Sequence, residues 1–177
     1  MDLAAPSNEF ENKIISNLAI YGYQLNNINR DKETNEPPFS YSVGFWKSYG
    51  HPEVLIIGLH ATTVASVIDK LAVHLKNGGA HYKPGNIHAE LIDGFDTLFL
   101  PVDAKVFEDY LLSTVWLYKG TDFPVLQLVF QDENNSWPWD ERASENFKAN
   151  QTIVGDVGFV PEMSVTKKIW KSIFGKS

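Results

Sequence analysis

The chain has no cysteine, no long hydrophobic run and no recognisable export signal among its 177 residues. Without cysteine it cannot form a disulfide, a thiolate metal site or a cysteine nucleophile, and this composition fits a reducing compartment. A membrane-spanning helix needs about 20 consecutive apolar residues, and no stretch of the sequence approaches that length. The first six residues, MDLAAP, lack the basic and apolar regions of a signal peptide. We therefore expect a cytoplasmic protein with no membrane span, folded as a single domain over residues 1–177.

The sequence motifs of several large enzyme classes are also missing. There is no Gly-x-Gly-x-x-Gly turn and no Gly-x-x-x-x-Gly-Lys-Ser/Thr loop, which are the usual backbone cradles for nucleotide phosphates. There is no His-Glu-x-x-His zinc motif, and no Gly-x-Ser-x-Gly turn that would present a hydrolase serine. These absences leave the sequence without a motif that requires an enzyme, and we favour a protein that is not one.

Charge is distributed unevenly along the chain, whose net charge is -7. Residues 90–145 contain twelve acidic and three basic residues, whereas the rest of the chain contains ten acidic and twelve basic ones. An acidic surface repels the phosphate backbone of nucleic acids, and it steers a basic partner toward itself. We therefore expect a basic protein partner and no nucleic acid, although an acidic segment can also serve solubility alone.

The spacing of apolar residues predicts six strands and four helices. Strict alternation over residues 39–45 and a continuous apolar run over 54–57 indicate two neighbouring strands. An apolar stripe over residues 61–76 indicates the clearest helix. The other expected strands cover residues 21–28, 87–92, 97–102 and 125–130, and the other expected helices cover 8–20, 104–118 and a segment that begins at Ser164. This order indicates an α+β fold with a mostly antiparallel sheet, flanked by two main helices plus N- and C-terminal helices.

Two tryptophans flank a proline in the polar segment that follows the last expected strand. Trp137 and Trp139 would form a stiff apolar surface among acidic residues, and exposed tryptophans often anchor protein interfaces. Alternatively, these rings pin the loop onto the sheet. We predict a partner-binding face of six residues: Asp132, Glu133, Trp137, Trp139, Asp140 and Glu141.

A second candidate site combines aromatic side chains with an imidazole and a carboxylate. His51 and Glu53 lie at a turn, where they could perform acid–base chemistry, although Glu53 could equally hold the turn together. With Tyr41 and Trp46 they form a possible ligand pocket.

The histidines also allow a weaker hypothesis of metal binding. His88 and Glu90 would point to the same face of a strand, with His81 in the preceding loop. This spacing matches no specific zinc motif, so we predict no metal site.

Four segments carry a family resemblance. They are residues 37–45 (PPFSYSVGF), 50–59 (GHPEVLIIGL), 126–132 (LQLVFQD) and 137–140 (WPWD). Together they resemble the bacterial family called domain of unknown function 4262, with a family-like core over about residues 14–158 and a C-terminal extension over 159–177. The sequence differs from the family pattern at Gln131, where a proline is usual. The resemblance implies a compact α+β protein and no established activity.

Two hypotheses of function follow. The first is a non-catalytic protein-binding module, most concretely a cytoplasmic immunity-type inhibitor that blocks a basic toxin domain through its acidic, tryptophan-containing face. The second is a flavin-binding oxidoreductase or small-ligand sensor similar to split-barrel proteins, with flavin mononucleotide stacked on Tyr41, Trp46 and the loop tryptophans. We rank the flavin hypothesis second because no pocket for its phosphate is evident in the sequence. The first hypothesis requires no cofactor.

Overall fold

The computed structural model describes residues 2–30 and 33–160. Its strands are β1 (Gln24–Ile28), β2 (Phe39–Val43), β3 (Glu53–Ile57), β4 (Ile87–Ile92), β5 (Phe95–Pro101) and β6 (Val125–Phe130). Its helices are α1 (Glu9–Tyr21), α2 (Phe45–Tyr49), α3 (Ala61–Lys76), α4 (Phe107–Tyr110), α5 (Leu112–Tyr118) and α6 (Glu145–Asn150), with short 3₁₀ turns at Ala104–Val106 and Val157–Phe159. The helix expected to begin at Ser164 lies outside the described residues.

The six strands form one sheet in the order β1-β2-β3-β6-β5-β4. Only β3 and β6 run parallel among these neighbours, and the other four pairings are antiparallel. This arrangement confirms the predicted α+β fold with a mostly antiparallel sheet. The parallel pair places the ends of β3 and β6 at the same edge of the sheet, where the chain leaves both strands for other elements.

Helix α3 covers one face of the sheet. Its apolar stripe, from Val64 to Leu75, packs on alternate residues of the central strands such as Ile56 and Leu128. Each of these four side chains is at most 7% exposed. Full burial of an aliphatic side chain contributes roughly 1.5–3 kcal/mol, so this interface fixes α3 firmly against β3 and β6.

The opposite face of the sheet is covered in two parts. Helices α1, α4 and α5 cover the region around Leu55, and Ile14 of α1 is buried there. The loop that carries Trp137 covers Leu98, Leu100 and Val129. The sheet is therefore covered on both faces, and β3 is buried along its whole length.

Three local predictions were wrong. The helix expected over 104–118 is broken at Leu111, whose backbone (φ -124°, ψ 35°) separates α4 from α5. The strand expected over 39–45 ends at Val43, and α2 follows it. Its predicted solvent-facing residues Ser40 and Ser42 are buried, because both sheet faces are covered.

No helix in residues 2–30 or 33–160 is long and apolar enough to cross a bilayer.

Candidate functional site

A cleft of about 740 Å³ opens at the edge of the sheet where β3 and β6 end. Ligands of open α/β sheets commonly bind beyond the carboxyl ends of parallel strands. This volume also falls within the range of about 300–1,000 Å³ that is usual for ligand pockets. The cleft is lined by residues of α3, the β4–β5 turn, the segment after β6 and α6: Leu59, Thr62, Thr63, Ser66, Lys70, Leu91, Ile92, Asp93, Phe95, Phe130, Gln131, Asp132, Glu133, Asn134, Ser144 and Phe147.

The lining of the cleft contains three aromatic rings, which we call the aromatic floor. Phe95, Phe130 and Phe147 each line it and are partly exposed. The rings of Phe130 and Phe147 meet edge to face, with their centroids 5.8 Å apart and an interplanar angle of 76°. These aromatic surfaces can hold the apolar stem or flat group of an incoming ligand.

The one cation in the cleft lining, Lys70, is fully occupied by the protein itself. Its ammonium group donates to the carbonyl oxygens of Glu90 at 3.1 Å and Leu91 at 3.2 Å, and to Asp93 Oδ1 at 3.2 Å. A lysine has three N–H donors, and these three bonds use all of them. Lys70 therefore fixes β4 against α3 and has no donor left for an anionic ligand.

Two adjacent carboxylates, Asp132 and Glu133, also line the cleft, and we call them the acidic rim. Asp132 Oδ1 accepts hydrogen bonds from the backbone N–H groups of Asn134 at 2.9 Å and Ser136 at 2.8 Å, which closes the turn after β6. Neither carboxylate has a basic side chain within 4.0 Å in the described part of the chain. The negative charge of the acidic rim is therefore available to a ligand.

The other four residues of the predicted partner-binding face do not join the acidic rim in the cleft. Trp137 is only 3% exposed, because its ring covers the sheet beside Leu98 and Val129. Trp139 stacks on Trp137, with centroids 5.4 Å apart and an interplanar angle of 8°. The prediction of an exposed tryptophan pair was therefore wrong for Trp137, and the alternative of a pinned loop describes this ring correctly. Asp140 accepts a hydrogen bond from the Trp137 N–H at 2.8 Å, and Glu141 lies exposed beyond it.

The second predicted site does not form a pocket either. Glu53 is fully buried, and its carboxylate accepts hydrogen bonds from Ser42 Oγ, the N–H groups of Gly44 and Trp46, and Tyr118 Oη, at 2.5 to 3.1 Å. Burial raises the pKa of Glu53, and these four hydrogen bonds act in the opposite direction. This carboxylate holds the β2–α2 turn against α5, as the alternative interpretation of the sequence proposed.

The remaining residues of that predicted pocket are also packed into the protein. Tyr41 is 4% exposed and lies, with half-buried Trp46, on the sheet face covered by α5. His51 is 0% exposed and contacts Phe45, on the side of α3. None of the three lines the cleft beyond β3 and β6.

The predicted strand pair of His88 and Glu90 does interact, with His88 Nδ1 3.2 Å from Glu90 Oε1. His81 instead uses Nε2 to contact the carbonyl oxygen of Tyr49 at 3.1 Å. Among residues 2–30 and 33–160, no group of three or more His, Asp or Glu side chains is placed to hold a metal ion.

Sequence reasoning identified the acidic rim but missed the rest of the cleft. Lys70, Gln131 and Phe147 come from three elements that are distant in the sequence, and only the fold brings them together. A partial signal was present in Thr62, Ser66 and Lys70, which form the polar stripe of α3 beside its buried one.

Comparison with known proteins leaves the activity open. The profile of a family described as a domain of unknown function, DUF4262, matches residues 17–144. No curated protein and no solved structure matches the sequence.

Proposed function

The chain belongs to the DUF4262 family of unknown function, and from the geometry of its cleft we propose that it is a non-catalytic protein-binding module that receives a basic segment of another protein. The observation that supports this proposal is the acidic rim, which shares the cleft with the aromatic floor and has no basic partner within residues 2–30 and 33–160. Interfaces of this kind place a charged head group against carboxylates while its apolar stem contacts the floor.

The electrostatic balance of the cleft favours a cation. Its four charged residues carry one positive and three negative charges, and Lys70 and Asp93 pair with each other. The start of α3 adds a partial positive charge of roughly half a unit. This is smaller than the two full negative charges of the acidic rim, so a basic ligand is favoured over an anionic one.

Binding is a better description of this cleft than catalysis. The hydroxyl group of Thr62 lies 3.0 Å from His60 Nδ1, which resembles a nucleophile beside a base. A catalytic pair of this kind also needs a third group that orients the imidazole. In the described part of the chain, the other nitrogen of His60 has no such partner.

The most concrete form of the proposal is a cytoplasmic immunity-type inhibitor of a basic toxin domain. This form of the proposal is supported by residues 90–145, where acidic residues outnumber basic ones and where the acidic rim lies. A flavin mononucleotide is the alternative ligand. It ranks second because its phosphate would need donors, and Lys70 already uses all of its own.

The proposal is tested with a capped hexapeptide of alternating lysine and arginine, titrated by isothermal calorimetry at 150 mM salt. The test variant is Asp132→Asn with Glu133→Gln, which removes both charges while the introduced asparagine retains a side-chain oxygen for the turn. We expect its affinity to fall about tenfold, since each exposed charge contributes up to about 1 kcal/mol.

A matched control is Glu108→Gln with Asp109→Asn, because this exposed pair lies outside the cleft. The control is expected to bind within about twofold of the unmodified protein. Equal affinity of the test variant and the unmodified protein would overturn the proposal. Binding of flavin mononucleotide or inorganic phosphate in the cleft, with no binding of the peptide, would also overturn it. Purification from the native host with a stoichiometric basic toxin would support the inhibitor form.

A further inference from the structure

Resting on the proposed function, we infer that the cleft is specific for an arginine side chain of the bound segment and discriminates against lysine. Three features of the cleft support this specificity: an amide without a protein partner in the described residues, a cluster of carboxylate oxygens without a basic partner there, and the aromatic floor. Each matches a property of the guanidinium group that an ammonium group lacks or has more weakly.

The amide belongs to Gln131, which lines the cleft and is 8% exposed as a whole residue. Its backbone N–H donates to the Asp96 carbonyl oxygen at 3.1 Å, so the main chain of this residue is held in place. Its side-chain amide makes no hydrogen bond within residues 2–30 and 33–160. Its amide atoms are accessible from the cleft, and no protein group in the described residues uses their hydrogen-bonding capacity. A ligand that donates to the Gln131 amide oxygen would therefore displace only water there.

Four side-chain acceptors of the cleft come from three consecutive residues. Asp132 Oδ2, both oxygens of Glu133 and the amide oxygen of Gln131 are the acceptors nearest one another in sequence, while the ammonium donors of Lys70 are already used. A guanidinium group presents five N–H donors in a rigid plane, which can contact a carboxylate through two parallel bonds and an amide oxygen as well. An ammonium group has three donors around one point and cannot match this set as completely.

The aromatic floor adds to the preference. A guanidinium group can stack flat on an aromatic ring, and such a contact is stronger when it is shielded from water. Phe130 and Phe147 meet edge to face, so their rings offer surfaces in two orientations. Because an ammonium group is more strongly hydrated, it loses more on entering this apolar site.

The volume of the cleft indicates that the arginine arrives within a chain. At about 740 Å³, the open cleft has room for a side chain and the backbone of its neighbours. A protein segment would therefore fill it better than a free amino acid.

The experiment compares three capped five-residue peptides that contain alanine around a central arginine, lysine or citrulline. Binding is followed by two-dimensional NMR, which locates the perturbed resonances and verifies the fold of each variant. We expect the arginine peptide to bind at least about fivefold more tightly than the lysine peptide, with its largest shifts at Phe130 and Phe147. Citrulline, which has nearly the same shape without the charge, is expected to bind far more weakly than arginine.

The variant Gln131→Leu should reduce the preference for arginine over lysine, and Phe147→Leu provides an independent test if Gln131→Leu does not fold. Equal binding of the arginine and lysine peptides would overturn the specificity and leave the proposed function standing. Absence of binding by both peptides, in this assay and for the hexapeptide, would overturn the proposed function as well. Free arginine amide that binds as tightly as the arginine peptide would overturn the inference that a chain segment is recognised.

Discussion

His51 shows how one side chain makes the stability of this protein depend on pH. Its Nδ1 lies 2.6 Å from the Pro52 carbonyl oxygen, which assigns the proton to Nδ1. Nε2 is buried and has no hydrogen-bond partner in residues 2–30 or 33–160. The ring packs against Phe45, His81 and Tyr82. Burial is the main reason that the pKa of His51 is lowered to about 4. A proton on Nε2 would place a charge where nothing accepts it.

This geometry predicts a loss of stability as the pH falls. The unfolded chain binds a proton at His51 near pH 6.5, whereas the folded protein resists it until about pH 4. The stability that His51 provides by staying neutral is therefore fully present above pH 6.5 and is lost as the pH falls toward 4. The free energy of unfolding should fall by about 3 kcal/mol over this range. Urea denaturation at pH 7, 5.5 and 4 measures it.

The matched variant for this prediction is His51→Asn, because an asparagine amide can still donate to the Pro52 carbonyl oxygen. Its free energy of unfolding should fall less between pH 7 and pH 4 than that of the unmodified protein. Other titrating groups contribute equally to both proteins and cancel in the comparison. An identical pH dependence in the two proteins would show that His51 is not the cause.

Glu53 illustrates what sequence reasoning could and could not establish at the scale of a residue. Its position beside His51 in a turn is compatible with catalysis and with a structural role. The choice depends on Tyr118, which donates to Glu53 Oε1 at 2.5 Å from an element 65 residues away. No local pattern encodes such a contact. The prediction that Trp137 is exposed was wrong for the same reason. Its burial depends on packing against a sheet face formed by residues distant in the sequence.

At the scale of elements, two buried glutamines fix the segment after α6 to the sheet. Gln127 Nε2 donates to the Thr152 carbonyl oxygen at 2.7 Å, and its Oε1 accepts from the N–H groups of Val154 and Gly155 at 2.9 and 2.8 Å. Gln151 bonds in the same way to both backbone groups of Phe130. These side chains form the kind of hydrogen bonds to backbone groups that a neighbouring strand would otherwise form. They also hold α6, and with it Phe147, at one side of the cleft.

Replacement of Gln127 by methionine should therefore release this segment. The change nearly conserves volume but leaves one carbonyl and two N–H groups without their partners, which we expect to cost about 3 kcal/mol. Leu128→Met in the same strand is the control, with an expected cost below about 1.5 kcal/mol. Urea denaturation measures both, and hydrogen exchange should show faster exchange at Val154 and Gly155 in Gln127→Met. Similar stability of the two variants would contradict the role assigned to Gln127.

The elements themselves were predictable where their sequence signal was long. The bounds of α3, β4 and β6 agree with the expected ranges, because each is a clear apolar pattern that ends at glycine or polar residues. Helices α2 and α6 were missed because segments of five and six residues are too short to show helical periodicity. The break at Leu111 was missed because α4 and α5 keep their apolar residues on the same core, so the spacing continues across it. The cleft forms where α3, β6 and α6 meet. Its position therefore depends on tertiary structure and could not be predicted from the sequence.

At the scale of the whole molecule, the acidic rim belongs to the region over 90–145 in which acidic residues outnumber basic ones by twelve to three. Under the proposed function, local contacts in the cleft set how long a basic segment stays bound. The wider negative field determines how often it arrives, because long-range attraction acts before contact. These two contributions can be separated, since exposed charges outside the cleft contribute to the field alone.

The association rate of the alternating lysine and arginine hexapeptide should fall steeply between 10 and 150 mM salt. Over this range the screening length shortens from about 30 Å to about 8 Å, so distant acidic residues cease to attract the peptide. Stopped-flow fluorescence with a labelled peptide measures the rate. The pair Glu108→Gln with Asp109→Asn should slow association at low salt and leave dissociation unchanged, whereas Asp132→Asn with Glu133→Gln should also accelerate dissociation. An association rate independent of salt would mean that the acidic region serves solubility, because a surface that steers a cation cannot be insensitive to screening.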